Sequence, residues 1–194
     1  MCGITGYIHN NKNKETEQIL KKMMKRIEHR GPDGKGTFID DTIALGHTRL
    51  SIIDLKTGDQ PMFNENERLV IVFNGEIYNY IELKSELEKK DHYFKTTCDT
   101  EVLLHGYEEW GYLLLERLRG MFAFVIWDRE KKELFAARDQ FGIKPFYYYH
   151  TDETLMFASE IKSFLDNPYF KKELNKDIIA PYLSFSRYGR ECRR

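Results

Sequence analysis

Residues 121–127 read Met-Phe-Ala-Phe-Val-Ile-Trp, a strand-length run without a polar residue. Side chains of a β-strand alternate between two faces, so this run must be covered on both. A single open sheet with one wet face would leave half of it exposed. Strands stacked on strands, with helices outside, would cover it.

Working outward, Met121–Asp128 and Glu133–Asp139 read as a hairpin joined by the charged turn 129–132. Phe146–His150 and Thr154–Glu160 read as a second hairpin across 151–153, followed by a short helix near Glu160–Leu165. Upstream, Cys2–His9 is a strand. In Lys14–Arg30 the residues Ile19, Leu20, Met23, Met24 and Ile27 recur near helical spacing. Arg30–Gly36 (RGPDGKG) reads as a turn, with strands at Gly36–Asp40 and Thr42–Ile53 after it. Arg68–Gly75 is an apolar strand ending at Asn74-Gly75. Helical patterns follow at Tyr78–Lys90 and Asp99–Gly111, the latter with Asp99 or Thr100 as N-cap. The tail 186–194 is basic, lacks apolar periodicity and reads as a frayed terminus or truncated linker.

Composition narrows the function classes. The 194 residues suit one domain; 30 basic against 31 acidic residues leave a net charge of −1, which gives no field for nucleic acid. Cys2, Cys98 and Cys192 form no C-x-x-C pair, and the six histidines form no H-E-x-x-H. No apolar run is long enough for a membrane span, and Cys2–Ile8 is too short for a secretory signal. A cytoplasmic protein is expected. Gly34-Lys35 is not a phosphate loop, because position 29, where the first glycine would stand, is His. Gly34-x-Gly36 is not a dinucleotide fingerprint, because position 39 is Ile.

Scattered residues suit one reaction better. Once Met1 is removed, Cys2 carries a thiol and a free α-amine on one Cα. Such an amine, with a pKa of about 7.7–8.0, serves as base for its own thiol. An Asn74 side-chain amide beside a Gly75 backbone N–H offers two donors to an oxyanion. Arg49 suits a carboxylate and Asp99 an ammonium. A ligand with a carboxylate, an ammonium and a side-chain amide is a free amino acid such as glutamine. Taken one at a time, each residue reads as a strand residue, a tight turn or a helix cap.

The segments MCGITGY, HRGPDG, LGHTRLSIIDL, QPM, VFNGEIYNY, CDTEVLLHGYEEWG, RGMFAFVIWD, ARDQFGIKP and FASEIKS, in this order, resemble the N-terminal glutaminase domain of glutamine-hydrolysing asparagine synthetases. These are class-II glutamine amidotransferases of the N-terminal-nucleophile (Ntn) hydrolase superfamily, and the resemblance covers nearly all of residues 2–185. It implies an α+β fold, a four-layer αββα sandwich of two antiparallel sheets. It also implies that Cys2 is the nucleophile, that Arg49 pairs with the glutamine α-carboxylate, and that Leu50, Ser51, Ile52 and Ile53 line the pocket. Asn74 and Gly75 would form the oxyanion hole, with Glu76 at the pocket wall and Asp99 on the α-amine. Arg138-Asp139 would hold a structural turn, Arg30–Gly34 would organise a loop near the pocket, and Cys98 would be a passive neighbour.

One departure stands out. The resemblance implies a following synthetase domain with a Ser-Gly-Gly-x-Asp-Ser-type loop for ATP, and no such loop occurs here. ATP and magnesium would belong to that domain, and the glutaminase step itself would need no cofactor or metal. L-glutamine and a synthetase domain or subunit are the expected partners; a homodimer is compatible with them, and neither nucleic acid nor membrane is expected. Two alternatives stay open: a catalytically silent remnant that regulates or binds a partner, and a glutaminase unit serving another acceptor.

Overall fold

The computed structural model describes residues 1–8, 15–50, 58–174 and 176–185; Ser51, Ile52, Ile53 and the tail 186–194 lie outside them. The described strands are β1 (Gly3–Ile8), β2 (Gly34–Ile39), β3 (Ile43–Arg49), β4 (Met62–Phe63), β5 (Leu69–Ile77), β6 (Gly120–Asp128), β7 (Glu133–Arg138), β8 (Tyr147–His150) and β9 (Leu155–Ala158). The principal helices are α1 (Thr16–Arg26), α2 (Tyr80–Glu88) and α3 (Asp99–Trp110). One sheet has the order β2-β3-β1-β9-β8 and the other β4-β5-β6-β7. Every pairing within them is antiparallel.

The apolar run in β6 divides as its period requires. Phe122, Phe124 and Ile126 join a cluster with Leu83 of α2 and Val102 of α3, while Ala123, Val125 and Trp127 pack between the sheets against Ile4, Leu45 and Phe157. Trp127 satisfies its indole N–H on Asp40 Oδ2 at 2.8 Å, which lets so large a ring be buried. A third cluster seats Leu20 and Met23 of α1 on Tyr7 and Ala44. The layers are therefore α1, first sheet, second sheet, then α2 with α3: an αββα sandwich. No described helix is long and apolar enough to cross a membrane.

Several boundaries differ from the sequence expectation, each for a tertiary reason. Asn74-Gly75 is not a turn or a strand end: β5 runs on to Ile77, paired residue for residue with β6. A Cβ on Gly75 would lie 2.4 Å from the Met121 carbonyl oxygen and 2.5 Å from the Phe73 ring, so the close approach that demands glycine is to β6 and Phe73. The segment 30–36 is only half turn, since Gly34, Lys35 and Gly36 already pair with Arg49, Thr48 and His47. Helix α2 starts at Tyr80 because Asn79 is engaged elsewhere, donating to the Arg117 carbonyl and accepting the Arg119 N–H. The two-residue β4 carries no periodicity for a sequence pattern to show. Residues 161–166 form a 3₁₀ helix.

Candidate active site

The seven described residues that the sequence assigns to a site, Cys2, Arg49, Leu50, Asn74, Gly75, Glu76 and Asp99, all line one pocket. It opens at the end of the inter-sheet layer, where Cys2 precedes β1, Leu50 follows β3, and β5 runs opposite.

Cys2 is held from two sides. Its Sγ accepts the Leu50 N–H at 3.3 Å and lies 3.5 Å from the Leu50 carbonyl oxygen. Arg30 donates from Nε to the Cys2 carbonyl at 3.0 Å and from its other arm to Glu160 at 3.1 Å. His29 and Lys162 converge on the same Glu160 carboxylate, so the peptide after Cys2 is tied to a charged network. The nitrogen of Cys2 is the amide of Met1, which itself lines the pocket.

Among the described residues no strand pairs with the edge of β5 that faces the pocket, because β4 reaches only Val70 and Ile71. Alternation in an antiparallel ladder directs the N–H groups of Phe73, Gly75 and Ile77 to that edge. Two of the three are taken by side chains. Gln60 Oε1 accepts from Phe73 at 2.6 Å, and Asp99 Oδ2 accepts from Ile77 at 2.9 Å. Across the ladder, Phe122 gives both its N–H and its carbonyl to Asp139, which leaves Gly75 unengaged on that side as well. The Gly75 N–H thus stands in the pocket between two capped neighbours.

Asn74 continues the inter-sheet face after Val70 and Val72. It is only 1% exposed, yet its Nδ2 has no hydrogen-bond partner among the described residues. A buried unpaired donor costs about 1–3 kcal/mol, a cost that an oxygen placed in the pocket would recover. His47 of β3, also buried, donates from Nε2 to the Phe73 carbonyl at 3.1 Å. Burial depresses its pKa to about 4, so the ring is neutral.

Asp99 is the first residue of α3; the N-cap is Cys98, one position before the expected Asp99 or Thr100. Burial raises the Asp99 carboxyl to about 6, and the nearby Glu76 adds to that rise while backbone N–H groups of Ile77, Asp99 and Thr100 oppose it. Arg49 is nine-tenths buried and pairs with Asp59 at 2.7 Å. Cys98 lies beside Asp99 with its Sγ 2.9 Å from Thr96 Oγ1, and burial pushes its thiol up. That favours the inert thiol. Arg138 and Asp139 do hold the 139–145 turn: Arg138 caps the carbonyls of Gly142 and Lys144, and Asp139 accepts from Phe141, Ile143 and Lys144.

Sequence reasoning did not single out His47, Gln60 or Lys144, which also line the pocket. Gln60 stood in the quoted segment QPM and His47 in LGHTRLSIIDL, but one sequence gives no sign that either caps a strand edge.

Comparison with known proteins gives a consistent picture. The family model described as glutamine amidotransferase domain matches residues 1–192. Asparagine synthetase [glutamine-hydrolyzing] 1 of Bacillus subtilis (strain 168) is 45% identical over 190 residues, which are 95% of this chain and 30% of that protein. Asparagine synthetase [glutamine-hydrolyzing] 2 of Arabidopsis thaliana is 43% identical over 171 residues, 86% of this chain and 29% of the relative. The chain thus spans about three tenths of the length of these curated relatives. Among solved structures, the glutamine phosphoribosylpyrophosphate amidotransferase of B. subtilis superposes with a TM-score of 0.69 at 25% identity, covering 84% of this chain and 43% of that one.

Proposed function

Because the chain belongs to the glutamine amidotransferase domain family, we propose that its pocket hydrolyses L-glutamine to glutamate and ammonia through a thioester on Cys2, with the ammonia passed to an ATP-dependent synthetase region that amidates aspartate. The carrying observation is the pairing of two unused donors, Asn74 Nδ2 and the Gly75 N–H, in the pocket that also holds the Cys2 thiol.

The proposed steps follow from those positions. Removal of Met1 frees the Cys2 α-amine, which takes the thiol proton as the sulfur attacks the γ-carboxamide carbon. The carbonyl oxygen becomes an oxyanion held by Asn74 and Gly75. The protonated amine passes its proton to the departing nitrogen, ammonia leaves, and water cleaves the thioester to release glutamate and restore the thiol. Arg49 turns from Asp59 to the substrate α-carboxylate, and ionised Asp99 takes the α-ammonium. Leu50 and Glu76 bound the pocket, as would Ser51, Ile52 and Ile53 from their place in the sequence. This step uses no cofactor; ATP and magnesium belong with the synthetase region. The asparagine synthetase relatives favour aspartate as the acceptor.

Glutamate release by Met1-processed protein tests the proposal, with Cys2→Ala and a Met1-retaining form as controls. Activity confined to the processed wild-type chain is expected. Equal rates in all three would overturn the Cys2 mechanism, and absence of hydrolysis by fully processed chain would favour a silent, partner-binding role.

A further inference from the structure

His92, in the turn after α2, and His105, in the middle of α3, meet outside the pocket. Their Nδ1 atoms are 3.2 Å apart, and Glu108 brings Oε2 to 3.5 Å from the His105 Nδ1. All three donor atoms lie within 4.8 Å of one another. Zn–N bonds of about 2.0–2.1 Å place two corners of a tetrahedron about 3.3 Å apart, so the facing nitrogens have the spacing of two ligands on one ion.

Two of the three have a hydrogen-bonded neighbour on the far side, and the third has a carboxylate within ion-pair distance. Glu65 Oε1 lies 3.2 Å from His105 Nε2, and Glu109 Oε2 lies 3.3 Å from His92 Nε2. Asn64 donates to Glu108 Oε1 at 2.9 Å, leaving Oε2 to point inward. Carboxylates behind the rings and an amide behind the carboxylate are how metal sites fix their ligands. His105 is 1% exposed, and its Nε2 has no hydrogen bond of good geometry despite the carboxylate nearby.

Glu65, Glu101, Glu108 and Glu109 surround the two imidazoles, and Lys90 pairs with Glu109. Glu101 is already engaged by the N–H groups of Lys95 and Thr96. Two imidazoles with one carboxylate suit zinc better than calcium or magnesium.

We propose that His92, His105 and Glu108 bind a zinc-class divalent ion, with water in the fourth position. The ion fastens the 91–95 turn to α3, whose first residue, Asp99, lines the pocket. A thirteen-residue separation between a turn and a helix matches no short motif, which is why the histidine spacing alone did not show it.

Zinc titration of chelator-treated full chain, followed by calorimetry and native mass spectrometry, tests this in a Cys2→Ser background that removes the part-buried thiol of the pocket. One ion per chain is expected, at micromolar affinity or tighter, with affinity falling at least tenfold in His92→Gln and in Glu108→Gln. These partly exposed positions carry the test because a substitution at buried His105 would risk the fold; circular dichroism verifies that both variants are folded. Cobalt(II) in place of zinc should give tetrahedral visible bands without a thiolate charge-transfer band. No bound zinc would show that the histidines are only a hydrogen-bonded couple. Binding undiminished in both variants, or a thiolate band, would place the ion elsewhere; any of these results overturns the proposal.

Discussion

Gln60 reaches the pocket-facing edge of β5 and takes the Phe73 N–H at 2.6 Å, while its amide nitrogen lies 3.3 Å from Thr100 Oγ1. The side chain thus joins the strand that carries Asn74 and Gly75 to the helix that carries Asp99. A Cβ on Gly36 would come within 1.9 Å of the Gln60 carbonyl oxygen, so the backbone that launches this side chain is packed as tightly as glycine allows.

In Gln60→Leu the Phe73 N–H loses its acceptor, and the edge that presents Gly75 is less firmly held. A lost hydrogen bond of about 1–1.5 kcal/mol corresponds to a fall in kcat of about tenfold. Little change in KM is expected, since Gln60 makes no contact assigned to the substrate's ends. Steady-state glutamate release separates the two constants. A rise in KM with kcat unchanged would instead place Gln60 on the substrate.

Asp99 should make glutamine binding dependent on pH near 6. The free carboxyl is raised to about 6, chiefly by burial, and only its ionised form attracts the substrate ammonium. Below that pH the apparent KM should climb about tenfold per unit; above it KM should be flat. The stability consequence has the opposite sense. The folded state holds the proton more tightly than the unfolded chain, so stability falls as pH rises from about 4 to about 6 and stays reduced above. Asp99→Asn should therefore melt higher than wild type at pH 8 and lose most of that advantage at pH 4, while its KM for glutamine is raised on the order of a hundredfold. Thermal melts at the two pH values, alongside kinetics, check both.

The contrast between Phe124 and Gln60 shows how far the sequence reads. Phe124 sits in a run whose lack of alternation reports local periodicity, and that alone implied two covered faces. Cys2, Asn74, Gly75 and Asp99 were visible because their chemistry is uncommon in combination. Gln60, His47 and Arg30 act through backbone groups of residues 13, 26 and 28 positions away, and such contacts arise only once strands are placed. Asn74-Gly75 misled as a turn dipeptide for a related reason. The pairing of β5 with β6 outweighs its local preference, and the glycine answers to Met121 and Phe73.

Asp139 anchors the turn behind the pocket. Although burial opposes ionisation, N–H groups from Phe122, Phe141, Ile143 and Lys144 hold its carboxyl below the usual range. Asp139→Ala leaves these donors without their acceptor and should cost about 3–5 kcal/mol. Urea unfolding measures it; a loss under 1 kcal/mol would mean that water replaces the carboxylate freely.

Glu160 links the same logic to Cys2. Its carboxyl is depressed to about 2: burial works against the charge, and hydrogen bonds from Lys162, Arg30 and His29 outweigh it. A depressed carboxyl contributes stability above its unfolded pKa of about 4.5 and loses it as pH falls toward 2. Glu160→Gln should lower the melting temperature by about 2–4 °C at pH 7, and the gap to wild type should narrow steadily below pH 4.5. The variant also releases Arg30 from its anchor, so the peptide after Cys2 is less well placed and kcat should fall several-fold at pH 7. If Arg30 held Cys2 without help from Glu160, the melting gap would appear while kcat stayed at the wild-type value; kinetics and melting of one preparation at pH 7 distinguish the two.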